Sequence, residues 1–226
     1  MSFVGPQPLK LDFDGAHTVS ALLLRPPGAR ACFVFAHGAG AGMNHAFMAQ
    51  MAEALGTRKI ATLRYQFPYM EKGGRRPDAP AVAHATVRAA VTEAERCCPG
   101  LVLVAGGKSF GGRMTSQAQA ATPLAGIRGL AFIGFPLHPA GQPSDARARH
   151  LSDVKVPMLF IQGSRDKLAE LALLQPVVKR LGSSASLHLV QDADHSFHVP
   201  ARSGRNDRDA MNEIAAKLSA WIGALA

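Results

Sequence analysis

The chain has 226 residues, of which 47% are hydrophobic and 18% are charged, so it is long enough to bury a sizeable core. No run of residues approaches the roughly 18 continuous apolar residues of a membrane-spanning helix, which excludes that class of protein. The formal net charge of +9 invites a nucleic-acid interpretation. The basic residues are scattered, however, without interleaved aromatic residues or a recognition motif, so no nucleic-acid partner is predicted.

The cysteines and the first residues bear on the compartment. Three cysteines, an odd number with two of them adjacent, favour reduced thiols over a disulfide framework. The opening residues, MSFVGPQPLK, lack the basic start and the apolar core of a signal peptide. We therefore expect a cytoplasmic protein.

In chain order, two alternating runs at residues 9–13 and 19–24 flank Asp14-Gly15 and predict an antiparallel hairpin. The buried strand ACFVFA at Ala31–Ala36 follows and runs into a glycine-rich segment that starts at His37. Further strands are predicted at residues 60–63, 102–105, 129–135, 156–162 and 186–190.

Helical periodicity appears between these strands. Asn44 is predicted to cap a helix with apolar residues Phe47, Met51 and Leu55. Pro176 should split or kink a helix at residues 168–181. The other helices are predicted at residues 81–97 and 114–121 and around residues 211–222. This alternation predicts a mostly parallel sheet with helices on both faces, in a single domain over residues 1–226.

The segment GKSFG at residues 107–111 fits the pattern G-x-S-x-G, in which a nucleophilic serine occupies a tight turn between a strand and a helix. The preceding buried strand and the following helical stretch supply that context, so Ser109 is the candidate nucleophile. A phosphate-binding loop ending in Gly107-Lys108-Ser109 would need a glycine where this chain has Val102.

Parallel sheets bind ligands at the carboxyl ends of their strands, and a serine nucleophile needs a base and an acid there. His195 follows the last strand and is the predicted base, with His198 as the alternative. Asp166 directly follows a strand and is the predicted acid. Asp145 and Asp153 lie in irregular sequence, and Asp192 and Asp194 are expected to shape the loop of His195.

The order Ser109, Asp166, His195 resembles that of the alpha/beta-hydrolase superfamily, and the resemblance extends over nearly the whole chain. Within it, the small size and the segment HGAGAGMNHAFM, starting at His37, are similar to dienelactone-hydrolase-like proteins. Dienelactone hydrolase itself has a cysteine where Ser109 stands. The resemblance implies a three-layer alpha/beta-hydrolase fold, and only about twenty residues separate the strands between which many relatives insert a lid. We therefore expect no cap domain.

The resemblance also implies a mechanism: Ser109 attacks an ester or thioester carbonyl, His195 transfers the proton and Asp166 orients His195. The oxyanion donors should be the backbone N–H groups of Phe110 and Ala39, with Gly40 as the rival of Ala39. We expect His37 to brace its loop, and Lys108 and Arg113 to be packing and ion-pair residues.

The predicted partner is a small acyl substrate. Candidates for the pocket that holds it are Tyr65, Phe67, Leu137 and His138, which follow strand ends. The sequence predicts no cofactor and no metal site, and nothing in it indicates an oligomeric state. The alternative function is a non-catalytic interaction module, because some eukaryotic relatives of this group belong to chromatin-modifying complexes.

Overall fold

A computed structural model describes residues 5–225. One sheet of eight strands runs through it in the order β1-β2-β4-β3-β5-β6-β7-β8. The strands are β1 (Gln7–Asp12), β2 (Thr18–Leu24), β3 (Ala31–Ala36), β4 (Ile60–Tyr65), β5 (Val102–Lys108), β6 (Ile127–Ile133), β7 (Met158–Gly163) and β8 (Ala185–Val190). The predicted hairpin is confirmed, since β1 pairs with β2 in antiparallel fashion. β2 is also antiparallel to β4, and the strands from β4 through β8 are parallel.

The described part of the chain has six α-helices between and after the strands: α1 (Ala46–Gly56), α2 (Pro68–Glu71), α3 (Pro80–Cys97), α4 (Phe110–Ala121), α5 (Leu171–Leu181) and α6 (Asp207–Gly223). Short 3-10 helices are present at Ala146–Asp153, Gly182–Ser184 and Ala201–Ser203. No helix among residues 5–225 is long and apolar enough to cross a membrane.

The alternation of side chains along each central strand builds the three layers. In β3, Cys32 and Val34 point into a core shared with α3, α4 and α5. Phe33 and Phe35 point to the opposite face, into a core shared with α1 and α6. Because both faces are covered, all six residues of β3 are buried. The predicted fold class, an alpha/beta sheet with helices on both faces, is therefore confirmed.

Two helix predictions require correction. The residue that caps α1 is His45, whose Nδ1 accepts a hydrogen bond from the Phe47 N–H, and not Asn44. Pro176 does not split its helix, because α5 continues through it from Leu171 to Leu181. Residues 168–170, which had been assigned to that helix, belong instead to the loop that follows β7.

The connection between β6 and β7 forms no cap. Its only helical element among the described residues is the 3-10 helix at Ala146–Asp153. Ala148 and Leu151 of that helix are buried in the core that also contains Met114 and Ala118 of α4. The connection thus packs against the side of the sheet structure.

Candidate active site

Ser109 occupies the turn between β5 and α4 with a strained backbone, at φ 49° and ψ −114°. This left-handed region is costly for a residue with a side chain, and such outliers cluster at functional sites. The turn is held by its neighbours. The Ser109 N–H donates to the Ile133 carbonyl of β6 at 3.0 Å, and the Ser109 carbonyl accepts from the Arg113 N–H at 3.1 Å.

The two glycines of the turn permit a close approach to β3. A Cβ atom on Gly107 would lie 2.4 Å from the Ala36 carbonyl oxygen, and one on Gly111 would lie 2.6 Å from the carbonyl oxygens of Ala36 and His37. Any side chain at either position would therefore push the turn away from the sheet.

The three residues predicted as nucleophile, base and acid form a continuous hydrogen-bonded chain. Nε2 of His195 lies 2.9 Å from Oγ of Ser109, and Nδ1 of His195 lies 2.7 Å from Oδ2 of Asp166. A carboxylate accepts only, so Nδ1 carries the proton and Nε2 is free to accept the hydroxyl proton of Ser109. His198, the alternative base, instead pairs with Asp207 at 3.0 Å.

Asp166 is buried and held in place by two further donors. Its Oδ1 accepts the Leu168 N–H at 2.8 Å, and its Oδ2 also accepts from Nε2 of Gln162. Oε1 of Gln162 accepts the Phe135 N–H at 3.0 Å, which fixes the orientation of the Gln162 amide. Sequence reasoning missed Gln162, because it lies within the buried strand β7.

The loop of His195 is shaped by Asp194 and held by Lys108. Oδ1 of Asp194 accepts the N–H groups of Ser196 at 2.7 Å and His198 at 3.0 Å. Nζ of Lys108 donates to the carbonyl of His195 and lies 5.0 Å from the centre of the Phe197 ring. Lys108 therefore connects the turn that carries Ser109 to the loop that carries His195.

Lys108 was expected to form an ion pair, and the structure shows other contacts instead. Burial lowers the pKa of Lys108 to about 8, although Asp166 and Asp194 oppose that shift. No carboxylate lies within salt-bridge distance of it in residues 5–225. The expectation of an ion pair at Lys108 is therefore wrong, and its ammonium group is held by a carbonyl and aromatic rings.

Two backbone N–H groups close to Ser109 along the chain or in space have no hydrogen-bond acceptor among the described residues. Phe110 is the first residue of α4, so its N–H has no acceptor within the helix. In the loop after β3, a Cβ on Gly38 would lie 3.8 Å from Cβ of Ser109, and the next N–H is that of Ala39. The N–H of Gly40, the rival donor, is used by Oη of Tyr69 at 2.9 Å.

His37 is buried within this loop in a fixed tautomer. Its Nδ1 lies 2.7 Å from the Gly38 carbonyl, and its Nε2 accepts the Phe67 N–H at 3.1 Å. Burial lowers the pKa of His37 to about 4, so the ring is neutral near pH 7. Both ring nitrogens are occupied, which leaves His37 no capacity to act as a base.

The four pocket candidates do not line an open surface, and this expectation needs correction. Tyr65, Phe67 and Leu137 are 0% exposed and His138 is 1% exposed. Tyr65 and Phe67 pack edge to face in the core beneath the site. His138 pairs with Glu170 at 2.5 Å, and its N–H, like that of Leu137, donates to the Leu168 carbonyl. Leu137 and His138 therefore stabilise the loop that carries Asp166.

No group of three or more His, Cys, Asp or Glu side chains within residues 5–225 is arranged to hold a metal ion. Acyl transfer requires a hydroxyl, a base that can take its proton, a carboxylate that stabilises the charged base and two free N–H donors. Groups of all four kinds are present here.

A family model described as an alpha/beta hydrolase domain matches residues 29–223. The chain belongs to the alpha/beta-hydrolase family. Among solved structures, a dienelactone hydrolase from Anabaena variabilis superposes with a TM-score of 0.79 at 22% identity, covering 98% of this chain and 99% of that one. An alpha/beta serine hydrolase without a lid from Xanthomonas campestris gives a TM-score of 0.73 at 21% identity, with 96% and 95% covered.

A serine hydrolase homologue from Coxiella burnetii gives a TM-score of 0.73 at 16% identity, with 97% and 98% of the two chains covered. At these identities the solved structures establish a shared fold. Membership of the alpha/beta-hydrolase family supports a hydrolytic function for this chain.

Proposed function

We propose that this alpha/beta hydrolase is a serine hydrolase that cleaves an ester or thioester through an acyl-enzyme. The observation that carries the proposal is the hydrogen-bonded chain from Oγ of Ser109 through His195 to Asp166, with distances of 2.9 and 2.7 Å. Ser109 attacks the carbonyl carbon while His195 takes its proton, and His195 then returns that proton to the leaving group. Water, activated by the same imidazole, releases the acid and restores Ser109.

The negative charge on the carbonyl oxygen develops beside the N–H groups of Phe110 and Ala39, which we assign as the oxyanion donors. Loss of one such donor typically slows turnover by about 10²- to 10³-fold. Asp166 keeps the proton on Nδ1 and stabilises the imidazolium that forms at His195. Gln162 and Leu168 orient Asp166 and do not contact the substrate.

The alternative of a non-catalytic interaction module has no observation in its favour. A His195 turned away from Ser109 would support it, whereas the two are within hydrogen-bond distance; binding of a partner protein without cleavage of any acyl substrate would also support it.

The experiment that tests the function is labelling with a fluorophosphonate probe together with hydrolysis of 4-nitrophenyl esters of graded chain length. We expect Ser109→Ala to abolish labelling and to lower kcat by at least about 10⁴-fold. Ser196→Ala is the matched control, since Ser196 is exposed at the same edge of the sheet, and it should keep both. Labelling that persists in Ser109→Ala, or folded protein that is never labelled, would contradict the proposal.

A further inference from the structure

Arg113, one helical turn after Ser109, has a guanidinium group without a protein partner. Its Nε–H group is buried and donates to no described residue. Its Cζ atom lies 5.8 Å from the centre of the Phe110 ring. Arg113 was expected to form an ion pair, and within residues 5–225 it forms none. A buried guanidinium donor left without an acceptor is costly.

A second arginine lies beside the first. Oγ of Ser116 in α4 and Nε2 of His150 in the 3-10 helix are 2.7 Å apart. Arg113 precedes Ser116 by three residues and Arg147 precedes His150 by three residues, so each arginine lies about one turn from this contact. Arg147 is also close enough that its charge, together with burial, lowers the pKa of Arg113.

No ion pair between either of the two arginines and a carboxylate is found among residues 5–225. The pKa of Arg147 is lowered by burial alone, with no opposing carboxylate. Burial lowers the pKa of His150 to about 4 and also lowers that of His84. The charge of Asp153 opposes the shift at His150. Arg113 and Arg147 are therefore two partly buried side chains of like charge, and the charge of Arg147 acts on Arg113.

We propose that Arg113 and Arg147 bind an oxyanion group, a carboxylate or a phosphate, on the substrate that is cleaved at Ser109. Planar guanidinium groups pair with such groups through two parallel hydrogen bonds. The Arg113 N–H donates to the Ser109 carbonyl, so the start of the arginine side chain lies about 6 Å along the helix from the serine. The substrate would thus be bound by its anionic group at one end, with its acyl bond at Ser109. The link to cleavage rests on the proposed function.

The first test compares two esters of equal length, 4-nitrophenyl hydrogen adipate, which has a free carboxylate, and methyl 4-nitrophenyl adipate, which is neutral. We expect the wild-type chain to prefer the anionic ester by at least about tenfold in kcat/KM. Arg113→Gln and Arg147→Gln should remove that preference while leaving the neutral ester within about threefold. Arg113→Lys, which keeps the charge but lacks the planar fork, should restore only part of it.

The matched control is Arg149→Gln, since Arg149 is an exposed residue of the same 3-10 helix and its loss should leave the preference intact. Equal use of the two esters by the wild-type chain would overturn the proposal. So would an equal loss for both esters in Arg113→Gln and Arg147→Gln, since that result indicates a structural role.

The second test does not depend on turnover, so it separates this proposal from the proposed function. Calorimetric titration of Ser109→Ala with adipate and with inorganic phosphate should show binding, weakened at least about tenfold by Arg147→Gln and unchanged by Arg149→Gln. Binding of phosphate but not adipate would assign the group as a phosphate, and the reverse as a carboxylate. Binding of neither would overturn the proposal, even if esters are cleaved.

Discussion

At the scale of single residues, Lys108 is an amine that the fold removes from water. Its ammonium group is surrounded by the His195 carbonyl and the rings of Phe47 and Phe197. Burial lowers its pKa to about 8, whereas an unfolded lysine titrates near 10.4. Between these values the unfolded chain binds more protons, so stability rises with pH. The destabilisation of the folded state by the buried, charged ammonium group is fully present below about pH 8 and disappears above about pH 10.4.

Lys108→Met removes the ionisable group and keeps an apolar side chain of similar length. We expect the free energy of unfolding of the wild-type chain, relative to this variant, to increase by roughly 1–3 kcal/mol between pH 7 and pH 10. Urea denaturation at each pH measures the difference. The exposed Lys72→Met is the control, and its difference from the wild-type chain should stay constant. A constant difference for Lys108→Met as well would contradict the burial argument.

The residues of the proposed triad could be predicted from the sequence because each follows a strand, and parallel strands end at one edge of a sheet. The residues that position the triad could not be predicted from the sequence. Gln162 lies inside a buried strand, and nothing in the local pattern shows which side chain it meets. The same limit explains the pocket candidates: a position after a strand does not say whether the side chain points outward, and Tyr65 and Leu137 point into the core.

At the scale of elements, the contact between the start of α4 and the end of β3 sets the position of Ser109. Gly111→Ala would place a methyl group 2.6 Å from two backbone oxygens of β3 and its following loop. We expect the helix to shift, with a loss of about 1–3 kcal/mol of stability and a larger proportional loss of kcat, because small displacements at a reacting group are costly. Thermal denaturation and ester hydrolysis measure the two effects.

The matched control for that substitution is Gly223→Ala. Gly223 is the last residue of α6, and a Cβ there would meet no atom within 4 Å. This change should leave activity unaltered and stability equal or slightly raised, since alanine favours helix. If Gly111→Ala behaved like Gly223→Ala, close approach would not be what the glycine provides.

Among the elements, strands with continuous apolar runs could be predicted to within about three residues, because burial on both faces of a parallel sheet demands such runs. Ala31–Ala36 was predicted with the same bounds that the structure has. The start of α5 was not predicted correctly. Residues 166–170 are held in the loop by the hydrogen bond from the Leu168 N–H to Asp166, and helical periodicity in the sequence does not encode such a contact. The short helix α2 was missed, since it spans only Pro68–Glu71.

At the scale of the whole molecule, the formal charge of +9 would act together with Arg113 and Arg147 if these two residues bind the anionic group of the substrate as proposed. Scattered surface charges are screened within about 10 Å at 0.1 M salt, whereas partly buried charges are screened less. Steering by the surface should therefore weaken with salt, and local binding should persist.

We expect the preference for the anionic over the neutral adipate ester to fall several-fold between low and high salt but not to vanish. Measurement of kcat/KM for both esters over a series of sodium chloride concentrations tests this. The residual preference at high salt should be absent in Arg147→Gln. If the preference disappeared entirely in the wild-type chain at high salt, surface charge alone would account for it.

The packing of the β6–β7 connection against α4, with no cap over Ser109, has a consequence for the fate of the acyl-enzyme. Under the proposed mechanism, the covalent intermediate would stay in contact with bulk solvent throughout its lifetime. Its partitioning between hydrolysis and alcoholysis would then follow solvent composition, and alcohols would receive the acyl group only when they are abundant. Under that mechanism we would expect release of the free acid to predominate over formation of a new ester in water.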